Sequence, residues 1–144
     1  MSIAEKQQDI VEEFSMLDGD MEMTINYIME LGEQLPEMDE SNKTDDSIVK
    51  GCQSKVWLMA SEDSGNIRFE ADSNTAITKG LVSLLVRVLD GESADDIMNA
   101  EITFPENIGM NRFIGTQRSN GFAAMIKQMK LYALALSSKT QTDA

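Results

Sequence analysis

Six residues, Ile67-Arg68-Phe69-Glu70-Ala71-Asp72, alternate apolar and charged, while much of the chain on either side is patterned for helix. A period of two sends Ile67, Phe69 and Ala71 to one face of a pleated strand and the charges to the other. The stretch therefore predicts a half-buried strand whose apolar side faces a core. Val56-Trp57-Leu58-Met59, across the turn-forming cluster Ser61-Glu62-Asp63-Ser64-Gly65-Asn66, supplies a partner strand. With a third run, Ser47 to Lys50, these make a small antiparallel three-stranded sheet, solvated on one face. A single domain is expected, since 144 residues suffice to bury one core.

Helical spacing accounts for most of the remainder. Ile3, Ile10, Val11, Phe14 and Leu17 form one stripe, with Ser2 and Glu5 placed as a capping box. Asp18-Gly19-Asp20 stops that helix. Met21, Ile25, Ile28, Met29 and Leu31 form the next, which ends near Gly32 because Pro36 cannot continue it. Pro36 to Ser47 reads as a solvated acidic loop. Ser73 or Asn74 is expected to cap a third helix, Thr75 to Leu89, with Ile77, Leu81, Leu84, Leu85 and Val88 inward. Ser93 and Asp96 open a short helix to Asn99. Ile102-Thr103-Phe104-Pro105 reads as extended, because the residue before proline is pushed from helix, and Glu106 to Gly115 as irregular. Thr116 caps a last helix to Leu136, and the tail from Ser137 reads as polar and frayed. The eleven methionines, mostly on helical stripes, read as core filler.

The charge balance narrows the partners. Twelve Lys and Arg against 25 Asp and Glu give a net charge of -13, which repels phosphate backbones and disfavours nucleic acid. A partner with a basic patch is the expectation. No window is apolar enough for a membrane span, and the amino terminus lacks the pattern of a signal or transit peptide. One cysteine cannot make an internal disulfide, so a reducing, cytoplasmic location is expected.

With no histidine and one cysteine, zinc, haem and Fe–S ligation by this chain alone are excluded, as are Ser–His and Cys–His nucleophile pairs. No glycine-rich phosphate loop is present, and the acidic loop lacks the spacing of a calcium loop. Cys52 is what remains. It stands in Ile48-Val49-Lys50-Gly51-Cys52-Gln53-Ser54-Lys55-Val56-Trp57-Leu58, where two β-prone runs flank a polar tip. The pattern predicts a hairpin with Cys52 exposed at its tip, and Lys50 and Lys55 on either side favour the thiolate. A buried, structural cysteine is the alternative. An accessible thiol without a resolving cysteine or a base can attack a sulfur on another protein, hold the adduct and pass it on. A peroxidase-like redox enzyme, or a binding module in which Cys52 is incidental, are the competing readings.

Gly51-Cys52-Gln53-Ser54-Lys55-Val56-Trp57 resembles the active loop of the SufE family, sulfur acceptors of the Suf iron–sulfur assembly system. The likeness extends to Tyr27-Ile28-Met29-Glu30-Leu31-Gly32 with Leu35-Pro36, to Ala76-Ile77-Thr78-Lys79-Gly80-Leu81, and to Arg118-Ser119-Asn120-Gly121-Phe122. The resemblance implies a single SufE-like domain over residues 1–144, with an α+β fold shared with the IscU-type scaffold. It implies that Cys52 takes persulfide sulfur from a SufS-like, pyridoxal-phosphate cysteine desulfurase, stimulates that enzyme, and hands the sulfur to a SufBCD-like scaffold. Gly51, Gln53, Ser54 and Lys55 would be the supporting loop and Arg118 a desulfurase contact. The pyridoxal phosphate would belong to the partner, with no cofactor or metal bound by this chain. Related CsdE-like proteins serve a paralogous desulfurase and feed other pathways. Asn74, where some relatives carry an acid, bears on how the loop is held at rest.

Overall fold

The computed structural model describes the backbone of residues 1–143 and the side chains of residues 1–137; the last helix, expected to end at Leu136 with a frayed tail from Ser137, continues in its backbone to Asp143. The two expected helices form, α1 (Ile3–Ser15) and α2 (Met21–Glu33), and they meet edge-on at Phe14 and Tyr27, whose ring centres are 5.3 Å apart, rather than along their length. Ser2 and Glu5 close the capping box of α1, and Asp20 caps α2 by accepting from the Met23 N–H at 2.8 Å. Strands β1 (Val56–Asp63) and β2 (Asn66–Ser73) pair antiparallel, Leu58 opposite Ala71 and Ala60 opposite Phe69. Helices α3 (Ala76–Leu89), α4 (Ala94–Met98), α5 (Phe104–Asn107) and α6 (Met110–Asp143) follow.

The sheet has two strands rather than three. Ile48 and Val49 contribute one isolated bridge, Ile48 to Trp57, and one bond from the Val49 N–H to the Val56 carbonyl at 2.8 Å. A 3-10 turn over Asp45–Ser47 and a second turn at Lys50-Gly51 leave only two extended residues between them, too few for a ladder. The hairpin of β1 and β2 is correspondingly longer than its apolar pattern indicates. Glu62 and Asp63 stay in the ladder, and Ser64-Gly65 alone turn the chain with φ of 55° and 90°, as a two-residue hairpin turn of this hand requires.

Ile67, Phe69 and Ala71 face inward as the alternation demands, and Leu58 joins them. Over this face lies α3, whose Leu81, Leu84, Leu85 and Val88 are fully buried. Each such side chain contributes about 1.5–3 kcal/mol by leaving water. Helix α2 packs on the outer side of α3 at very short range. A Cβ on Gly32 would stand 2.6 Å from the Gly80 nitrogen, and one on Gly80 would overlap the Ile28 carbonyl oxygen. Two glycines facing each other are what allow this crossing.

Several local expectations need correction. Thr75, not Ser73 or Asn74, is the N-cap of α3, because those two side chains are bonded to the cysteine loop. The stretch expected to be extended at Ile102–Pro105 turns into α5, with Pro105 in the first turn, where a missing N–H costs nothing. Buried Gln7 takes the capping role: its Oε1 accepts from the Thr103 and Phe104 N–H groups at 2.8 and 3.1 Å, and its Nε2 donates to the Glu101 carbonyl. Residues 106–115 are largely helical, since α6 begins at Met110; the break comes at Gly115, with φ 81° and ψ 170°. The acidic loop is only partly solvated. It contains a second 3-10 turn at Glu40–Asn42, and Met38 and Ser47 are buried. Of the methionines, Met38, Met110, Met125 and Met129 are core, whereas Met16, Met21, Met23 and Met59 are exposed.

Candidate functional site

Cys52 lies in the irregular loop joining Val49 to Val56, and both ends of that loop are fixed. Val49 and Val56 are buried and bonded to each other. On the carboxyl side Lys55 is clamped by the junction of β2 and α3. Its N–H donates to Asn74 Oδ1 at 3.0 Å, and its carbonyl accepts from the Asn74 N–H at 3.2 Å and from Ser73 Oγ at 2.8 Å. Ser54 Oγ accepts from Thr75 Oγ1 and Thr78 Oγ1 at 3.0 and 3.4 Å. Asn74, with no negative charge, thus holds the loop through its amide oxygen and backbone.

The thiol is not at an exposed tip. Cys52 is half-buried, and its Sγ donates to the Gly121 carbonyl of α6 at 3.4 Å. This seat exists because residue 121 is glycine; a Cβ there would stand 3.3 Å from Sγ and 3.6 Å from the Cys52 Cα. Against one side of the thiol is a small cavity of about 60 Å³, lined in part by Ser54, Thr78, Leu81, Gln117, Arg118 and Met125. A larger groove, about 700 Å³ between α1 and the α4–α5 region, carries no thiol.

Burial pushes the Cys52 thiol above its ordinary pKa. This reverses the expectation drawn from Lys50 and Lys55: both lysines are exposed, and solvent screens charges so placed. Loss of water around a would-be thiolate prevails, and the carbonyl acceptor also favours S–H. At rest the sulfur is a protonated thiol.

Of the residues singled out in the sequence, Cys52, Gln53, Ser54 and Arg118 line one cavity. Gly51 abuts Ala124 of α6, and Lys55 serves through its backbone while its side chain points to solvent. Arg118 is exposed and reaches the Ile114 carbonyl at 3.5 Å. Sequence reasoning missed Gly121 as the seat of the thiol, although it belongs to the Arg118–Phe122 run, and missed Thr78 and Leu81 at the cavity, since their spacing reads only as helix packing. Trp57 is half-buried with the Lys43 ammonium 5.6 Å from its ring centre, and it is not among the residues lining the cavity. Among the described residues no group of three or more Cys, Asp or Glu side chains converges to hold a metal ion, and no helix is long and apolar enough to cross a membrane.

Comparison with known proteins adds to this geometry. The family model "SufE: Fe-S metabolism associated domain" matches residues 8–133. An uncharacterized SufE-like protein of Rhizobium meliloti (strain 1021) is 34% identical over 126 residues, 84% of this chain and 89% of that protein. The SufE-like protein 1, chloroplastic/mitochondrial, of Arabidopsis thaliana is 33% identical over 140 residues, 96% of this chain but only 38% of that longer protein. The solution structure of a hypothetical protein from Thermus thermophilus superposes with a TM-score of 0.76 at 19% identity, covering 92% of this chain and 96% of that one. That likeness bears on the fold alone.

Proposed function

Since the chain belongs to the SufE family of Fe-S metabolism associated domains, we propose that Cys52 is a covalent sulfur acceptor, loaded by a SufS-like cysteine desulfurase and unloaded to a SufBCD-like scaffold. The observation that carries this reading is the seat of the sole thiol. It sits on a loop tied down at both ends, half-buried against Gly121, with a small cavity beside it.

The chemistry is transfer of a sulfur atom between two cysteines. The Cys52 thiolate attacks the outer sulfur of the donor's persulfide; an S–S bond forms to Cys52 Sγ, and the donor's S–S bond breaks. The donor's cysteine leaves as a thiolate and takes up the proton that Cys52 gave up, so there is no net change in oxidation level or proton count. The Gly121 carbonyl accepts the S–H bond but is no base. Deprotonation and in-line approach therefore require Cys52 to leave this seat, through a swing of residues 50–54 between the fixed points at Val49 and Lys55. The pyridoxal phosphate that generates the first persulfide belongs to the desulfurase. A neutral, half-buried thiol is a slow target for peroxide, which suits a carrier better than a peroxidase.

The test is mass analysis after incubation with a cysteine desulfurase and cysteine. One sulfur atom is expected on Cys52, and none on the Cys52→Ser chain. Equal uptake by the serine variant would refute the assignment.

A further inference from the structure

Resting on the sulfur-acceptor reading, we infer that the rim of the Cys52 cavity is a cationic docking face, and that the donor presents an acidic surface around its own reactive sulfur.

Lys6 pairs with Glu92 at 2.8 Å, Lys43 with Glu40 and Asp72 at 3.0 and 3.2 Å, Arg68 with Asp90 at 3.2 Å, Lys79 with Asp72 at 3.5 Å, and Arg87 with Glu13 at 2.6 Å. Lys130 donates to the Ala100 carbonyl at 2.6 Å. Among the described residues Lys50, Lys55, Arg118 and Lys127 have no carboxylate within pairing distance, and all four are exposed.

Three of these stand at the thiol, and the fourth is on the helix that abuts its loop. Lys50 and Lys55 flank Cys52 in its loop, and Arg118 lines the cavity with it. Lys127 stands on α6 three residues past Ala124, the residue that abuts Gly51. Arg112, also without a carboxylate, lies over the Phe113 ring and lines a separate groove. Nor do the four act on the thiol, whose pKa burial raises.

The remaining eight Lys and Arg stand against 25 Asp and Glu. The molecule is therefore strongly acidic, and among the described residues Lys50, Lys55 and Arg118 form a cationic island beside the nucleophile. An acidic partner face is attracted there and repelled by the acidic remainder, which presents Cys52 to the donor in the right orientation. A partner with a basic patch, suggested by net charge alone, would be drawn to the wrong side. The effect acts over the Debye length, about 8 Å at physiological ionic strength, so it orients the final approach.

The test compares wild type with the combined variant Lys50→Gln, Lys55→Gln, Lys127→Gln, which leaves Cys52 and Arg118 in place. Sulfur uptake from a desulfurase and cysteine is timed by mass analysis at ionic strengths of about 0.02 M and about 0.5 M. The variant is expected to be about tenfold slower at low salt and within about twofold of wild type at high salt. Alkylation by iodoacetamide, which is uncharged, should be equal in the two chains. Arg112→Gln, which removes a positive charge away from the cavity, should transfer as wild type does. Uptake by the triple variant at the wild-type rate in low salt would overturn the inference alone. So would equal slowing by Arg112→Gln, which would make net charge the cause, or parallel slowing of alkylation. A wild-type chain that takes up no sulfur at all would sink the acceptor reading and this inference together.

Discussion

Gly80→Ala tests the packing that positions the Cys52 cavity. The new methyl carbon would stand 2.6 Å from both the carbonyl carbon and Cγ2 of Ile28, and closer still to the Ile28 carbonyl oxygen. Carbon atoms in contact need about 3.5–4.0 Å, so α2 and α3 must part by about an ångström. A gap of that size forfeits about a quarter to a half of the dispersion energy of the pairs that face each other. Ile28 is fully buried, as are Leu81 and Leu84 on α3. A buried side chain of this size makes about 40–60 contacts of about 0.1–0.2 kcal/mol each; losing a quarter of them costs about 1–3 kcal/mol. Strain from overpacking adds about 1–3 kcal/mol. Alanine's better helix propensity returns about 1 kcal/mol, leaving a net loss of about 1–5 kcal/mol, a large share of the 5–15 kcal/mol that holds an ordinary domain together. Urea unfolding followed by circular dichroism would read this as a fall in midpoint of about 0.5–2.5 M, for a slope of about 2 kcal/mol/M, the middle of the usual range. Thr78 and Leu81, on either side of Gly80, line the cavity, so alkylation of Cys52 should also accelerate. Gly19→Ala is the control: nothing lies within 4 Å of its Cβ, so only the left-handed backbone, about 1–2 kcal/mol, is at stake. A Gly80→Ala protein as stable as wild type would refute the reasoning.

Gly121→Ala should separate stability from reactivity. It adds helix propensity to α6 but crowds Cys52 Sγ to 3.3 Å, so unfolding changes by less than about 1 kcal/mol while the alkylation-rate profile against pH shifts toward an ordinary thiol; an unmoved profile would deny Gly121 its role as the seat. Wild-type alkylation should itself rise only at pH above the usual thiol midpoint, because burial raises the Cys52 pKa. Gln7→Leu keeps the buried volume but strips the Thr103 and Phe104 N–H groups of their acceptor; thermal melts should show a loss of about 1–3 kcal/mol, and an unchanged melting point would mean that water replaces the amide. Burial alone would raise the Asp72 carboxyl, but the Ser73 N–H and the ammonium groups of Lys43 and Lys79 hold it below the ordinary value. Its contribution is therefore present above the unfolded carboxyl range and lost as pH falls through the lower folded value; in acid titrations Asp72→Asn should flatten that limb of the stability curve, and identical limbs would remove Asp72 from the account.

Much of this fold was legible because its determinants are local. The alternation at Ile67–Asp72 placed Ile67, Phe69 and Ala71 inward; the apolar stripe of α3 named its core residues, and Ser2, Glu5 and Ser93 marked helix starts. The errors fall where a distant group overrides a local preference. Ile48-Val49 have strand chemistry but too little free length between two turns to make a ladder. Phe104 and Pro105 enter a helix because Gln7, almost a hundred residues away in sequence, caps it. Asn74 has the chemistry of a helix cap but is spent on Lys55.

At the site, elimination by composition left Cys52 as the one candidate thiol, since a chain without histidine and with a single cysteine has few other nucleophile arrangements. Its protonation state was not legible. Two neighbouring lysines argue for a thiolate, but a pKa depends on how much water surrounds the sulfur, and that depends on α6 approaching the loop at Gly121. Likewise Gly32 and Gly80 stand in runs that resemble the family, yet only the crossing of α2 and α3 gives their reason, which is contact rather than chemistry. Residue types and their spacing decided which atom can react; the packing of helices against a short sheet decided when it is free to do so, because exposure and charge partners are properties of neighbours in space.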